Sequence, residues 1–174
     1  MKMITAVVSS ACVGVLVAAC ATVPAGRPRA EARLEARSGS EVGGSVTFTQ
    51  VGDKVLVEAR VTGLPPGEHG FHVHESGDCS APDAASAKGH FNPDAKPHGH
   101  QGSSEHHAGD LPNLIADAKG HASATAESTI ISLGSDSHGI IGRSVVIHAD
   151  PDDYMSQPAG NSGKRIACGT VRQL

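Results

Sequence analysis

Aromatic side chains are nearly absent from this sequence, which has no Trp, one Tyr and three Phe among its 174 residues. Gly (21) and Pro (10) are plentiful instead, and Val, Ile and Thr occur in short runs, a pattern that favours short strands over helices. There is no run of basic residues, and the formal net charge is -4. The sequence therefore predicts one compact, strand-rich domain with a short appendage, and it argues against a nucleic-acid partner.

A long apolar run is absent as well. The most apolar stretch, 6–19, is too short to span a membrane and follows Lys2, so it predicts a removable targeting segment, 1–19. Cys20 comes directly after Leu-Val-Ala-Ala, an arrangement that resembles a bacterial lipobox, in which the Cys becomes the lipidated first residue of the mature protein. Ordinary cleavage at a neighbouring alanine, with Cys20 incidental, is the alternative. Residues 20–29 then form a linker between the membrane and the domain.

Alternating apolar and polar residues predict seven or eight short strands. The clearest pair, 45–50 and 54–61, forms a hairpin around a Gly-Asp turn. The stretch 30–37 fits a first strand, with a short helix as the alternative. Further strands are expected at 70–74, 122–127, 139–148 and 166–171.

Two long connections, 75–111 and 149–165, lack apolar periodicity, and connections of this length are either disordered or functional. The histidines in the first connection favour function. The sequence thus predicts an all-β fold, an antiparallel Greek-key barrel or sandwich that carries its chemistry on two long functional loops.

Cysteine is scarce. Cys12 leaves with the targeting segment and Cys20 would carry lipid, so Cys79 and Cys168 are the pair that remains for the domain. In an exported, oxidising compartment such a pair predicts a disulfide, which would stabilise the fold by ~4–5 kcal/mol in the chain-entropy model. Two free buried thiols, the alternative, would require a cytosolic protein.

Histidine is crowded into one part of the chain. Seven of the eleven lie within 70–110, and imidazole is a ligand suited to copper and zinc. His72 and His74 are two residues apart on a predicted strand, so their side chains project to the same side and can share a metal. His148 ends another apolar strand, where a buried imidazole needs a partner.

The first connection offers a second set of ligands, namely His90, His98, His107 and Asp110. Three imidazoles and one carboxylate make an ordinary tetrahedral zinc site, and zinc would order a loop that buries little apolar surface. The other histidines are expected to be surface or supporting residues: His69, His100, His106, His121 and His138.

Five motifs, in their order and spacing, resemble the Cu/Zn superoxide dismutases. They are GFHVHE at 70–75, GHFNP at 89–93, HAGDL at 107–111, GIIGRSVVIH at 139–148 and RIACG at 165–169. The resemblance covers residues 30–174, and the lipobox resembles that of periplasmic bacterial members. It implies a periplasmic enzyme that dismutates superoxide to dioxygen and hydrogen peroxide, with copper cycling between Cu(II) and Cu(I) and a structural zinc.

The resemblance also assigns ligands. The copper ligands would be His72, His74, His90 and His148. The zinc ligands would be His90, His98, His107 and Asp110, so that one imidazole bridges the two metals. Asp152 would link a copper ligand, His72, to a zinc ligand, His98, and such outer hydrogen bonds fix the tautomer and orientation of a ligand.

Catalytic roles follow from the same resemblance. Arg165 would supply a fixed positive charge for the anion beside the copper, and His90 would leave copper on reduction, take up a proton and return it. The Cys79–Cys168 disulfide would pin the metal-binding loop to the last strand and position the backbone beside Arg165.

The sequence departs from the family in two places. The connection 149–165 is shorter than in the eukaryotic members, so the steering residues known there have no obvious counterparts, and Lys88 and Lys164 are the candidates to replace them. His100 and His106 add imidazoles beside the zinc ligands, where either is able to substitute for a ligand or to capture extra metal.

The alternative function is a non-catalytic periplasmic copper- and zinc-binding lipoprotein of the same fold. A metal buffer needs neither Arg165 nor a shared histidine, so the complete set favours the enzyme. The expected partners are superoxide and, through the lipid anchor alone, the membrane, while a monomer and a homodimer both stay open.

Overall fold

The structure is a computed structural model that describes residues 26–174. The targeting segment and Cys20 lie outside the described residues. Nine strands follow one another along the chain: β1 Arg29–Ala36, β2 Gly43–Val51, β3 Lys54–Thr62, β4 Gly67–His69, β5 Phe71–His74, β6 Leu114–Ala116, β7 Ala122–Ser128, β8 Ser144–His148 and β9 Arg165–Gln173. Within 26–174 the one helical element is a short 3-10 turn, Ala85–Ala87, and no helix in this range is long and apolar enough to cross a membrane.

In the early strands every second side chain is buried, which explains why these residues form strands. In β3 the residues Val55, Val57, Ala59 and Val61 are at most 3% exposed while their neighbours face outward, as expected for a strand with one face on the core. β1 pairs with both β2 and β9, so the first strand is confirmed and the helical alternative is wrong.

All strand pairs are antiparallel, and the main sheet has the order β5-β8-β9-β1-β2-β3-β7. The chain crosses from β3 to the opposite edge at β5, returns to β7, and crosses again to β8, which is the kind of long connection found in Greek-key folds. The sheet curls around one apolar core into a half-barrel. The predicted all-β class is therefore confirmed.

Two details differ from the sequence prediction. The strand expected over 139–148 begins only at Ser144, because the glycine at 142 has a positive φ of 80° and Arg143 N–H bonds to the Ile140 carbonyl in a turn. The apolar side chain of Ile140 is buried from that turn rather than from a strand. The two-stranded ribbon of β4 and β6 was not predicted, because three-residue strands are too short to show a period.

Two loops cover one region of the barrel. We call the connection between β5 and β6, residues 75–113, the metal loop, and the connection between β8 and β9, residues 149–164, the second loop. The predicted disulfide is confirmed: Cys79 of the metal loop is bonded to Cys168 of β9, across 89 residues of sequence. It ties the metal loop to the central part of the sheet.

Candidate metal centre

The first histidines of the site lie on two neighbouring strands. β5 pairs with β8, so that His72 is opposite Val146 and His74 is opposite Ser144. The alternate residues of β5, Phe71 and Val73, belong to the apolar core, which leaves both imidazoles on the other face. His72 and His74 are nevertheless fully buried, because the metal loop covers that face.

The metal loop reaches this face by pairing with β5. His74 pairs with His90 and His72 pairs with Asp110 as isolated bridges, and the Val73 backbone bonds to the Gly109 carbonyl and accepts from the Phe91 amide, both at 2.9 Å. A side chain at Gly109 would collide with the Val73 carbonyl oxygen. The glycine of the HAGDL motif therefore permits the close backbone contact that brings loop ligands beside strand ligands.

The first candidate metal group consists of His72, His74, His90 and His148, whose ligand atoms lie within 4.8 Å of one another. The Nδ1 of His74 is 2.9 Å from the Lys88 carbonyl, so it carries the proton and Nε2 carries the lone pair. That Nε2 is 3.4 Å from Nε2 of His148. Two imidazole nitrogens that face each other at this distance are well placed to share a cation.

The second group consists of His90, His98, His107 and Asp110, whose ligand atoms also lie within 4.8 Å of one another. Around the Asp110 carboxylate, Nδ1 of His90 lies at 2.8 Å, Nδ1 of His98 at 3.1 Å and Nδ1 of His107 at 3.3 Å. Nδ1 of His107 is also 3.4 Å from Nδ1 of His90. Three imidazoles and a carboxylate that converge in this way form the usual donor set for zinc.

His90 belongs to both groups. Its Nδ1 faces Asp110 and His107, while its Nε2 is buried and has no hydrogen-bond partner in the described structure. Its ring is stacked on that of His72, with a centroid distance of 3.9 Å. The imidazole can therefore offer one nitrogen to each group.

Buried nitrogen atoms without partners test whether metals fit here. Among the side chains of residues 26–174, three such atoms occur: Nδ1 of His72, Nε2 of His90 and Nδ1 of His98. A buried polar atom without a partner is costly, and each of these three belongs to one of the two groups. Neutral imidazole suits copper and zinc, so the residues fit the two metals that the family resemblance implies.

Asp152, from the second loop, connects a histidine of the first group to a histidine of the second group through their Nε2 atoms. It is 3% exposed, and its two oxygens accept hydrogen bonds from Nε2 of His72 at 2.8 Å and Nε2 of His98 at 2.9 Å. Each bond fixes the proton on Nε2, which leaves the unpartnered Nδ1 free to bind a metal. A side chain at Gly160 would collide with the Asp152 carboxylate and come within 2.7 Å of the His98 ring.

The pKa values of three histidines of the first group agree with metal binding by neutral imidazoles. Burial and then the neighbouring His72 lower the pKa of His90 to about 4, and burial lowers the pKa of His74 and His148 well below the usual value. These imidazoles are neutral at pH 7, which is the state that binds metal.

The carboxylates act in the opposite direction. Burial alone would raise the pKa of Asp110, but the adjacent imidazoles of His107, His90 and His98 hold it well below its usual range. Burial alone would lower the pKa of His98, yet the neighbouring carboxylates of Asp110 and Asp152 raise it to about 9. The metal-free chain therefore keeps a proton on His98 that a metal must displace.

Arg165 lies beside the first group, at the start of β9. Its Nη1 donates to the Ala84 carbonyl at 2.7 Å, and Ala84 packs in a small cluster with the Cys79–Cys168 disulfide. Arg165 lines a cleft of about 350 Å³ together with His148, and an adjacent cleft of about 390 Å³ together with Lys88 and Lys164. An anion that approaches His148 therefore meets a fixed guanidinium.

The surplus histidines lie outside both groups. His100 is exposed, and its ring edge rests on Tyr154 at a centroid distance of 4.7 Å. His106 is buried with Nδ1 2.7 Å from the His107 carbonyl. Neither residue replaces a predicted ligand in this geometry.

The structure brings the predicted ligands together, although metal binding by each of them stays a prediction.

Sequence reasoning missed the supporting amides Asn113 and Gln157. The Asn113 side chain donates to the Asp152 carbonyl and accepts from its amide, both at 3.0 Å. No sequence motif identifies these two residues, since their hydrogen-bond partners lie 39 to 59 residues away in the sequence.

An antiparallel half-barrel whose strands and loops together hold two histidine groups with one shared imidazole defines a protein built for a pair of metal ions. The family model described as copper/zinc superoxide dismutase (SODC) matches residues 42–171. The chain belongs to this family.

Curated relatives and a solved structure agree. The chain is 43% identical over 137 residues to superoxide dismutase [Cu-Zn] 2 of Aquifex aeolicus (strain VF5), which covers 76% of this chain and 80% of the relative. It is 40% identical over 149 residues to superoxide dismutase [Cu-Zn] of Caulobacter vibrioides, with 82% and 85% covered. The crystal structure of the clock protein EA4 matches with a TM-score of 0.78 and 43% identity, covering 88% of this chain and 99% of that chain.

Proposed function

We propose that this protein catalyses the dismutation of superoxide, in which two superoxide ions and two protons give one dioxygen and one hydrogen peroxide. The observation that carries the proposal is the position of His90, with one nitrogen in each of two complete ligand groups. Copper in the first group supplies one-electron redox chemistry, which zinc cannot provide. Membership of the copper/zinc superoxide dismutase family supports the same activity.

The proposed copper ligands are His72, His74, His90 and His148. Three of them are held by the sheet, since His72 and His74 lie on β5 and His148 ends β8. The proposed zinc ligands are His90, His98, His107 and Asp110, all on the metal loop. The sheet thus fixes the redox site, while the zinc group holds the loop that completes it.

Arg165 and two lysines attract the substrate in this proposal. The net charge of the chain is negative, so attraction of an anion must be local. One cleft is lined by three cations, Arg165, Lys88 and Lys164, and by one carboxylate, Asp83, and an excess of positive charge at a cleft raises the local concentration of a small anion. Arg165 is the residue that holds superoxide, because its guanidinium is fixed by the Ala84 carbonyl.

His90 handles a proton. Its Nε2 is buried and has no protein partner in the described structure, while Nδ1 stays engaged on the Asp110 side. A proton at Nε2 would therefore sit between the copper-side imidazoles, close to the reacting oxygen, without disturbing the zinc-side nitrogen. This position suits the transfer of a proton to a reduced oxygen species.

The test is superoxide dismutation by purified residues 21–174 reconstituted with copper and zinc, with metal content measured on the same sample. We expect fast turnover with one copper and one zinc per chain. His138→Ala is the control, since the side chain of that half-buried histidine pairs only with Asp94 and the neighbouring Ser137 in the described structure. Two bound metals without turnover would contradict the enzyme and favour the non-catalytic metal-binding lipoprotein.

We also propose that the protein is exported to the periplasm and anchored through lipid on Cys20. The Cys79–Cys168 disulfide supports an oxidising compartment, and the sequence before Cys20 supports lipidation. Cys20→Ser should release the protein from the membrane fraction while leaving the disulfide intact. Monomer and homodimer both stay open, and sedimentation of residues 21–174 distinguishes them.

A further inference from the structure

Gln157 of the second loop holds the backbone of a proposed zinc ligand. Its Oε1 accepts the His98 amide at 2.8 Å, and its Nε2 donates to the His98 carbonyl at 2.9 Å. A second bond from Nε2 reaches the Met155 carbonyl within the second loop at 3.3 Å. One carboxamide thus satisfies both polar groups of the His98 peptide backbone, 59 residues away in sequence.

His98 needs such a partner because of where it lies. The segment 92–106 of the metal loop contains no strand, and the hydrogen bonds of the described residues give the His98 amide and carbonyl no other partner. The residue is nevertheless buried, at 4% exposure. A buried peptide group outside a sheet still needs hydrogen-bond partners, and Gln157 supplies them for His98.

The second loop therefore holds His98 at two separate points. Asp152 accepts a bond from the ring Nε2 at 2.9 Å, and Gln157 holds the backbone. A bond to the ring alone would leave the Cα free to swing about that contact. The two attachments together define the position of the backbone and the direction of the ring, so that Nδ1 faces Asp110 at 3.1 Å.

We propose that Gln157 is a positioning residue of the zinc site, whose carboxamide clamps the His98 backbone and so aims Nδ1 of His98 into the zinc group. This inference rests on the proposed zinc site. Pre-positioning of a ligand slows metal release, and supports of metal ligands typically change metal affinity 10–100-fold. The copper group does not depend on this clamp, since three of its four ligands lie on β5 and β8.

The test compares the release of the two metals. Gln157→Met keeps the length of the side chain and removes both bonds to His98, together with the bond to the Met155 carbonyl. Asn161→Gly is the matched control: Asn161 is a second carboxamide of the same loop, its bonds reach only Asp153 and Ser156, and Gly tolerates its φ of 52°. Zinc and copper release into a chromophoric chelator are measured for each loaded protein, together with hydrogen exchange of the His98 amide and melting of the metal-free form.

For Gln157→Met we expect about tenfold faster zinc release, faster exchange of the His98 amide, and copper release equal to that of the unsubstituted protein and of Asn161→Gly. Zinc release within twofold of the unsubstituted protein would overturn the clamp. Equal acceleration of zinc and copper release, with a matching fall in the melting temperature of the metal-free protein, would show a general structural role and overturn it too. A different result would count against the zinc site itself: the unsubstituted protein binds no zinc, or His98→Ala binds as much zinc as the unsubstituted protein does. That result is distinct from the other two.

Discussion

Replacing the Asp152 carboxylate by an amide should damage metal binding through the tautomers of two ligands. The carboxylate accepts from Nε2 of His72 and Nε2 of His98 at once, which a carboxylate can do and a carboxamide cannot. In Asp152→Asn one oxygen still accepts, but an NH₂ group faces the second imidazole. That imidazole avoids two opposed donors only by moving its proton to Nδ1, the atom that the metal needs.

The size of the effect follows from this chemistry. Loss of a hydrogen bond that orients a metal ligand typically lowers metal affinity 10–100-fold, equivalent to about 1.4–2.8 kcal/mol. The oxygen of the new amide should stay on the His98 side, because the Tyr154 amide also donates to Oδ1 of Asp152, at 2.7 Å. The NH₂ group then faces Nε2 of His72, whose Nδ1 has no acceptor in the described structure to receive the proton. We therefore expect the larger loss at the copper group, to which His72 belongs.

Chelator competition on the loaded protein measures zinc and copper affinity separately. Asp94→Asn is the control, since Asp94 pairs with His138 at 3.0 Å on the surface and makes the same kind of carboxylate–imidazole contact away from the site. Copper affinity within threefold of that of the unsubstituted protein would refute the tautomer argument. A larger loss of zinc affinity than of copper affinity would refute the placement of the NH₂ group on the His72 side.

Three further outcomes follow from the same structure. Arg165→Ala should lower the rate of superoxide dismutation at least tenfold and leave copper content unchanged, as measured by kinetics and metal analysis; lost copper would mean that the arginine supports the site instead of the anion. Cys168→Ser should lower the melting temperature and zinc retention, because the disulfide closes a loop of about 90 residues, worth ~4–5 kcal/mol in the chain-entropy model; unchanged melting would contradict this. In the metal-free protein, the proton that carboxylates hold on His98 stabilises the fold below its ordinary pKa of 6.5, and this stability is lost as the pH rises through the folded pKa of about 9. His90, whose folded pKa is about 4, must stay neutral in the fold, so stability is also lost as the pH falls from 6.5 towards 4. Thermal melting from pH 4 to 10 should therefore show a maximum near neutral pH, and a high-pH decline of equal size in the zinc-loaded protein would contradict the role of His98.

The sequence predicted the parts of the fold that have a period. The β2–β3 hairpin and the pair His72 and His74 follow from alternation along strands, which depends only on neighbouring residues. The short ribbon of β4 and β6 and the turn at 139–142 escaped prediction, because three-residue strands carry no period and an apolar turn resembles a strand.

The residues of the candidate site also divide into those that the sequence predicts and those that it does not. Its ligand residues were found by residue type and by family motifs. The amides of Asn113 and Gln157 were not, because a side-chain bond to a distant backbone group depends on the meeting of two loops and leaves no local pattern.

The two candidate metal groups differ in what holds them, and this predicts an order of loss. Three copper-side imidazoles stand on paired strands whose opposite face packs in the core, so their positions persist as long as the sheet does. The zinc-side residues His98, His107 and Asp110 lie in a loop without regular structure, fixed by Asp152, Gln157 and one disulfide. Any change that loosens the two loops should therefore release zinc before copper, and the shared imidazole of His90 is the element through which that loss would reach the redox site.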